Sequence, residues 1–348
     1  MNSVPQDEAP EPPGSRREGL LSPGYVDCLQ ACMALKGERI PKAVLMGLTG
    51  EAFRLFYDKS APDRSPYVLA HNPLRAASTV LGYSPKVNYY PDTEQAMEGL
   101  DEHLAADAAI LHAEGGWVSV LRREPPAYVV QMADERQERW DRDRLMESWQ
   151  REAGFLELGL PGFYFFGLGE KERKPDMDEV AVATLRRGVR LMRRRTKVGG
   201  AAAGLLAYED MAESLRRKPR GYQQAALDVL RYSQWREAGV PYVHAARQAA
   251  VEYLDTVRKT FTEEAAEHLE KAAKAFRKAA ELFEEMPAAP ALQDGAHPPT
   301  GADKRAVRGF SRARKKIIRL VYRLHAVETE AADGMRKGAD IQERYLRR

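Results

Sequence analysis

The chain has two thiols, Cys28 and Cys32, four residues apart. Thiol chemistry runs through the thiolate, which is favoured in the first turn of a helix, where free N–H groups and the helix dipole lower a cysteine pKa. Asp27 is a good N-cap, residues 28–36 read as the helix it opens, and Gly37 stops it. Cys28 therefore stands where a nucleophile for acyl transfer or amide cleavage would stand. The blander account is that Cys28 is a small buried hydrophobe. A thiol nucleophile also needs a base held by a third polar group. Of the seven histidines, His112 is the candidate base because it ends a predicted strand, and His71 and His103 have weaker settings. Asp134, just past a predicted strand at 128–132, would orient such a base, or would simply open a polar turn. Two cysteines one helical turn apart are badly placed for a disulfide, and without a third ligand they make a weak metal site. No cofactor or metal is expected, since no Walker A loop, Rossmann glycine fingerprint, GxSxG or HExxH occurs.

The elements that must hold these residues form an α+β region followed by an all-α one. Residues 1–20 read as a disordered tail, rich in Pro, Glu and Ser. Residues 21–172 mix helices at 28–36, 73–81, 92–106 and 141–151 with strands at 52–57, 86–90, 108–112, 117–122, 128–132 and 162–167. Helices then take over, at 177–195, 201–217, 221–237, 241–259 and 262–285, the last with Thr260 and Glu263 as a capping box. The helical domain runs over 176–286. A Pro/Ala/Gly linker, 287–302, leads to a long final helix at 303–348.

The run Asp27-Cys28-Leu29-Gln30-Ala31-Cys32, with Met46-Gly47-Leu48-Thr49-Gly50-Glu51-Ala52-Phe53-Arg54 after it, resembles the N-terminal domain of the butirosin biosynthesis protein H family, which is papain-like and C39-peptidase-like. The segments Gly204-Leu205-Leu206-Ala207-Tyr208-Glu209 and 247–254 (RQAAVEYL) are similar to those that follow the cysteine domain in such two-part bacterial proteins. The resemblance implies a papain-like core, a cysteine opening the first helix, and thiol-based acyl transfer from a small-molecule or acyl-carrier substrate. It puts His112 near the position of the base. The family pattern also expects a histidine at the head of a strand and an aspartate after it. Here that strand reads Gly115-Gly116-Trp117-Val118-Ser119-Val120-Leu121, Asp134 follows without a proline, and the only glutamine before Cys28 is Gln6. The catalytic set thus reads as atypical, and a non-catalytic binding or assembly protein is the alternative.

Lys plus Arg number 54 against 51 acids, a balance that excludes a generally polycationic nucleic-acid coat. With two cysteines and no apolar run of spanning length, the composition points to a soluble, cytoplasmic protein. Two basic runs stand out, 186–197 and 304–323, the second with nine cations and no acid. Each is a docking face for an acidic protein partner or a solvated helix face, and no helix-turn-helix, zinc finger or aromatic-interleaved motif points to nucleic acid. In the last helix Phe310, Ile317, Val321 and Leu324 share one face. That stripe must pack on the helical domain or on a second copy of the chain, as a homodimer.

Overall fold

The computed structural model describes residues 24–60, 62, 72–114, 116–149, 162–198, 200–288 and 301–348, with side chains from residue 304 in the last segment. The predicted tail at 1–20, most of the linker, Gly115 and His71 lie outside them. The order of elements is α1 (Gly24–Leu35), α2 (Lys42–Thr49), β1 (Phe56–Tyr57), α3 (Pro73–Val80), β2 (Lys86–Tyr90), α4 (Thr93–Leu104), β3 (Ala109–Ala113), β4 (Gly116–Glu124), β5 (Ala127–Met132), β6 (Gln137–Asp141), α5 (Arg142–Ser148) and β7 (Phe163–Gly167). Then come α6 (Met177–Met192), β8 (Lys197–Val198), β9 (Ala201–Ala203), α7 (Leu206–Arg216), α8 (Tyr222–Gln234), α9 (Val240–Val257), α10 (Glu263–Glu284) and α11 (Gly301–Leu346). The mixed α+β class with a helical C-terminal region is what the sequence led us to expect.

Six strands form one antiparallel sheet in the order β2-β7-β3-β4-β5-β6. Because side chains alternate along a strand, the two faces bury different sets. Leu111, Val118, Val120, Val130 and Phe165 pack with Met97 and Leu100 of α4. Ile110 and Phe166 point to the other face and join Cys28, Leu29, Cys32 and Met33 of α1. That second core runs on without a break into Leu185 of α6, Tyr253 of α9, Phe276 of α10 and Met335 of α11. The change of element type after β7 is therefore not a change of core.

Several elements differ from the sequence reading for local reasons. Residues 52–57 do not form one strand. A turn of 3-10 helix at Glu51–Phe53 comes first, and only Phe56 and Tyr57 pair, with Ala203 and Ala202. The turn is needed because Glu51 and Arg54 both face inward. Residues 201–217 are not one helix either. Gly200 and Gly204 take positive φ (89° and 63°) and bracket the short strand β9 before α7 begins. Helix α10 is capped at Thr262, not Thr260. The Thr260 hydroxyl donates to the Val257 carbonyl, and the Thr262 N–H donates to Gln342 Oε1 at 2.9 Å.

The stripe Phe310, Ile317, Val321 and Leu324 is buried against α7, α8 and α10 of the same chain. The face on which a helical homodimer was expected is thus already covered. No helix among the described residues is long and apolar enough to cross a membrane.

Candidate functional site

Helix α1 is already helical at Gly24, so Cys28 lies a full turn inside it and Asp27 is not its cap. At that depth the amide of residue 28 is spent on the helix's own i→i−4 bonding, and the free N–H groups that would stabilise a thiolate lie a turn away. Asp27 instead pairs with Lys42 at 2.5 Å. Cys28 is 2% exposed and packs on the sheet, where the Ser119 hydroxyl donates to the Cys28 carbonyl at 3.2 Å. Burial pushes the Cys28 thiol far up, with Ser119 opposing it and Cys32 and Asp27 adding to it, and no histidine acts on it. Cys32 is pushed up to about 12, by burial first and by the Asp107 carboxylate next. Both thiols are protonated at neutral pH. Among the described residues no group of three possible metal ligands occurs, so the cysteines gain no third ligand there.

His112 sits opposite Trp117 in the β3–β4 register, on the sheet face that α1 covers. Its ring tilts against Trp117 at 5.4 Å between centroids, and the edge of Tyr25 in the first turn of α1 meets Trp117 at 5.9 Å. Trp117 thus touches both this histidine and the first turn of α1. Asp134 lies in the β5–β6 turn with its side chain 47% exposed, accepts from the Arg136 N–H at 3.2 Å and pairs with Arg136 Nε at 2.5 Å. The Arg136 hydrogen bond holds its carboxyl below the usual range. It is the polar turn, not the orienter of a base. Cys28, inside α1, and Asp134, in the β5–β6 turn, thus have different bonding partners, Ser119 and Arg136.

What does come together at the start of α1 is Gly24, Trp117 and Ala133. A Cβ placed on Gly24 would lie 2.8 Å from the Ala133 Cβ and 3.5 Å from the Trp117 Cβ. An open groove of about 630 Å³ runs along the outer side of α1, past Asp27, Gln30, Ala31, Leu121 and Gln131, and neither cysteine lines it.

The residues that sequence reasoning missed form a buried polar network that joins the 3-10 turn to the helical half. Arg54 donates to Glu51 Oε1 at 2.6 Å and, through Nε, to the Tyr242 hydroxyl at 3.0 Å, while the Tyr25 hydroxyl donates to Glu51. Arg247, fully buried, grips Glu328 with two bonds of 2.5 and 2.8 Å and donates to the carbonyls of Ala52 (2.9 Å) and Arg54 (3.1 Å). The Tyr208 hydroxyl completes the Glu328 carboxylate at 2.8 Å. Burial raises the Glu51 carboxyl, against the pull of Arg54 and the Tyr25 hydrogen bond. A signal was present in the sequence, since Glu51, Arg54, Tyr208 and Arg247 all fall within the segments that carry the family resemblance.

The two basic runs part company. In the first, Arg186 pairs with Asp340 at 3.1 Å and also with Glu343, Arg193 pairs with Asp333, Arg187 donates to the Leu48 carbonyl at 3.0 Å, and Lys197 pairs with Asp210 at 2.9 Å. That run is thus partly neutralised, Arg186 and Arg193 by carboxylates of α11 and Lys197 by Asp210 of α7. In the second, Arg308, Arg312, Lys315, Lys316 and Arg319 are exposed along one side of α11, without an ion pair among the described residues. Comparison with protein-family models matches none of them to this chain, and no curated protein matches it.

Proposed function

We propose that this chain is a non-catalytic binding or assembly protein, built on a papain-like α+β domain that no longer holds a working catalytic set. The observation that carries this reading is the trio at the start of α1. The resemblance expects a cysteine at the opening of the first helix, a histidine at the head of a strand and an aspartate after it. Gly24 in the first described turn of α1, Trp117 near the head of β4 and Ala133 just past β5 meet there, and none is a nucleophile, base or orienter. The nearest thiol, Cys28, is buried, and burial holds it protonated. Binding then falls to the helical half, whose unpaired basic face on α11 suits an acidic protein surface.

The test is alkylation of Cys28 by iodoacetamide over about pH 6 to 10, on native and denatured chain, with Cys32→Ala and Cys28→Ala variants to assign the label. Labelling of the native protein should be negligible beside that of the denatured protein at every pH. Rapid native labelling of Cys28 with an apparent pKa well under the free-thiol value of about 8.5 would sink the proposal and restore thiol acyl transfer.

A further inference from the structure

A cavity of about 410 Å³ lies between the end of β1, the C-terminal part of α7 and the first turns of α8. Its volume falls in the range of small-molecule sites, roughly 300–1,000 Å³. The back wall is apolar, from Met211, Leu215 and Trp235. At the floor the hydroxyls of Tyr57 and Ser214 bond each other at 3.2 Å, and Ser60 adds a third hydroxyl at the rim.

The charges around this cavity are unequal once pairs are removed. Its three carboxylates already have partners: Asp210 with Lys197 at 2.9 Å, Glu213 with Arg217 at 2.6 Å, and Asp228 with Gln224 at 3.1 Å and Arg314 at 3.8 Å. Lys59, Lys218, Arg220 and Arg231 also line it and make no ion pair among the described residues. Arg231 is half-buried and lines the cavity together with Tyr57. The Ser214 hydroxyl donates to the Met211 carbonyl and that of Ser60 to Asp58. The four cations without ion pairs are therefore what would hold a ligand head, and with the apolar back wall they suit a dianionic, oxygen-rich head on an organic body. A phosphate monoester has both. Its head carries close to two charges at neutral pH, with three acceptor oxygens for Arg and Lys donors.

We propose that this cavity is a binding site for a small phosphate monoester, with Arg231, Arg220, Lys218 and Lys59 around the phosphate and the organic part against Trp235, Met211 and Leu215. The site goes beyond the docking role proposed above and does not depend on the state of Cys28, so either can fail alone.

Isothermal titration of the full chain with adenosine 5′-monophosphate, glucose 6-phosphate, adenosine and inorganic phosphate tests it. At least one monoester should bind, inorganic phosphate should bind more weakly, and adenosine should give no heat. Arg231→Gln should weaken the monoester at least tenfold, whereas Arg319→Gln, on the basic face of α11, should leave it unchanged. Should Arg231→Gln fold poorly, the exposed Lys59→Gln/Lys218→Gln pair makes the same test and should also weaken binding. The proposal is overturned if neither monoester binds at millimolar concentration, if inorganic phosphate binds as tightly as the monoesters, or if the cavity variants bind like the unaltered chain. It is equally overturned if Arg319→Gln weakens binding as much as they do, since that would mean unspecific attraction to the basic helix.

Discussion

Glu328→Gln should destabilise the protein by about 3 kcal/mol, because it leaves the Arg247 guanidinium charged and buried with no counter-ion. Removing one member of a buried pair generally costs about 3–5 kcal/mol, since the remaining charge has lost its water and its partner. The lower end applies here for two structural reasons. Arg247 keeps the carbonyls of Ala52 and Arg54 as acceptors, and glutamine retains an oxygen for the Tyr208 hydroxyl. For a chain of 348 residues the loss corresponds to a drop in Tm of about 6 °C, at roughly 2 °C per kcal/mol. Arg247→Met should cost at least as much, because it also strands the two carbonyls. The double variant Arg247→Met/Glu328→Leu removes both charges and should be more stable than the two losses added together, by about 2 kcal/mol or more. Urea unfolding followed by far-UV circular dichroism supplies the midpoints. Hydrogen exchange at residues 51–54 supplies a local readout, since Arg247 holds the carbonyls of that turn. Single variants within about 1 kcal/mol of the parent, or strictly additive losses, would refute the idea that this pair fastens the 3-10 turn to α9 and α11.

Three further outcomes follow from burial and packing. Stability should be constant up to about pH 8.5 and fall above it, because there the unfolded chain releases the Cys28 and Cys32 protons while the folded thiols, raised by burial, keep theirs. One pH unit above the free-thiol pKa the loss is about 1.4 kcal/mol for each thiol. Tyr25 and Tyr208, raised by burial and by the neighbouring carboxylates of Glu51 and Glu328, extend the fall above about pH 10. The Cys28→Ala/Cys32→Ala variant should lose the first part of this slope, and an unchanged slope in urea midpoints between about pH 8.5 and 10 would contradict the assignment. On α11, Gly309 is exposed with open space around it, so Gly309→Ala should stabilise by about 0.5–1 kcal/mol through helix propensity. Gly334→Ala should instead cost about 1–3 kcal/mol, since its Cβ would sit 2.8 Å from the His268 carbonyl oxygen of α10. Equal thermal shifts for the two would mean that α10 and α11 do not pack at this distance.

The fold was legible wherever a strong local pattern matched its surroundings. The alternating apolar runs at 108–112, 117–122 and 128–132 became β3, β4 and β5, and the stripe from Ala265 to Phe283 became the buried face of α10. Legibility ended where a distant partner decides the conformation. Three alanines at 201–203 carry no strand signal of their own, and β9 forms only between the two-residue β8 on one side and Phe56 and Tyr57, far away in sequence, on the other. β6 (Gln137–Asp141) was missed for a related reason, since four of its five residues are polar and only Trp140 is fully buried. The start of α1 was misplaced by one turn because Asp27 looks like a cap, while its carboxylate is claimed by Lys42.

The candidate site shows a deeper limit. Glu51, Arg54, Tyr208 and Arg247, all inside segments quoted for the resemblance, bond to one another or through Glu328 and Tyr242 in the interior. Ion pairs of that kind constrain sequence severely, because each member is costly to leave alone once buried. A buried network of this kind can therefore fix a scaffold whatever side chains meet at Gly24, Trp117 and Ala133. Resemblance carried by such residues speaks for architecture, and the chemistry has to be argued from the side chains that meet at the site.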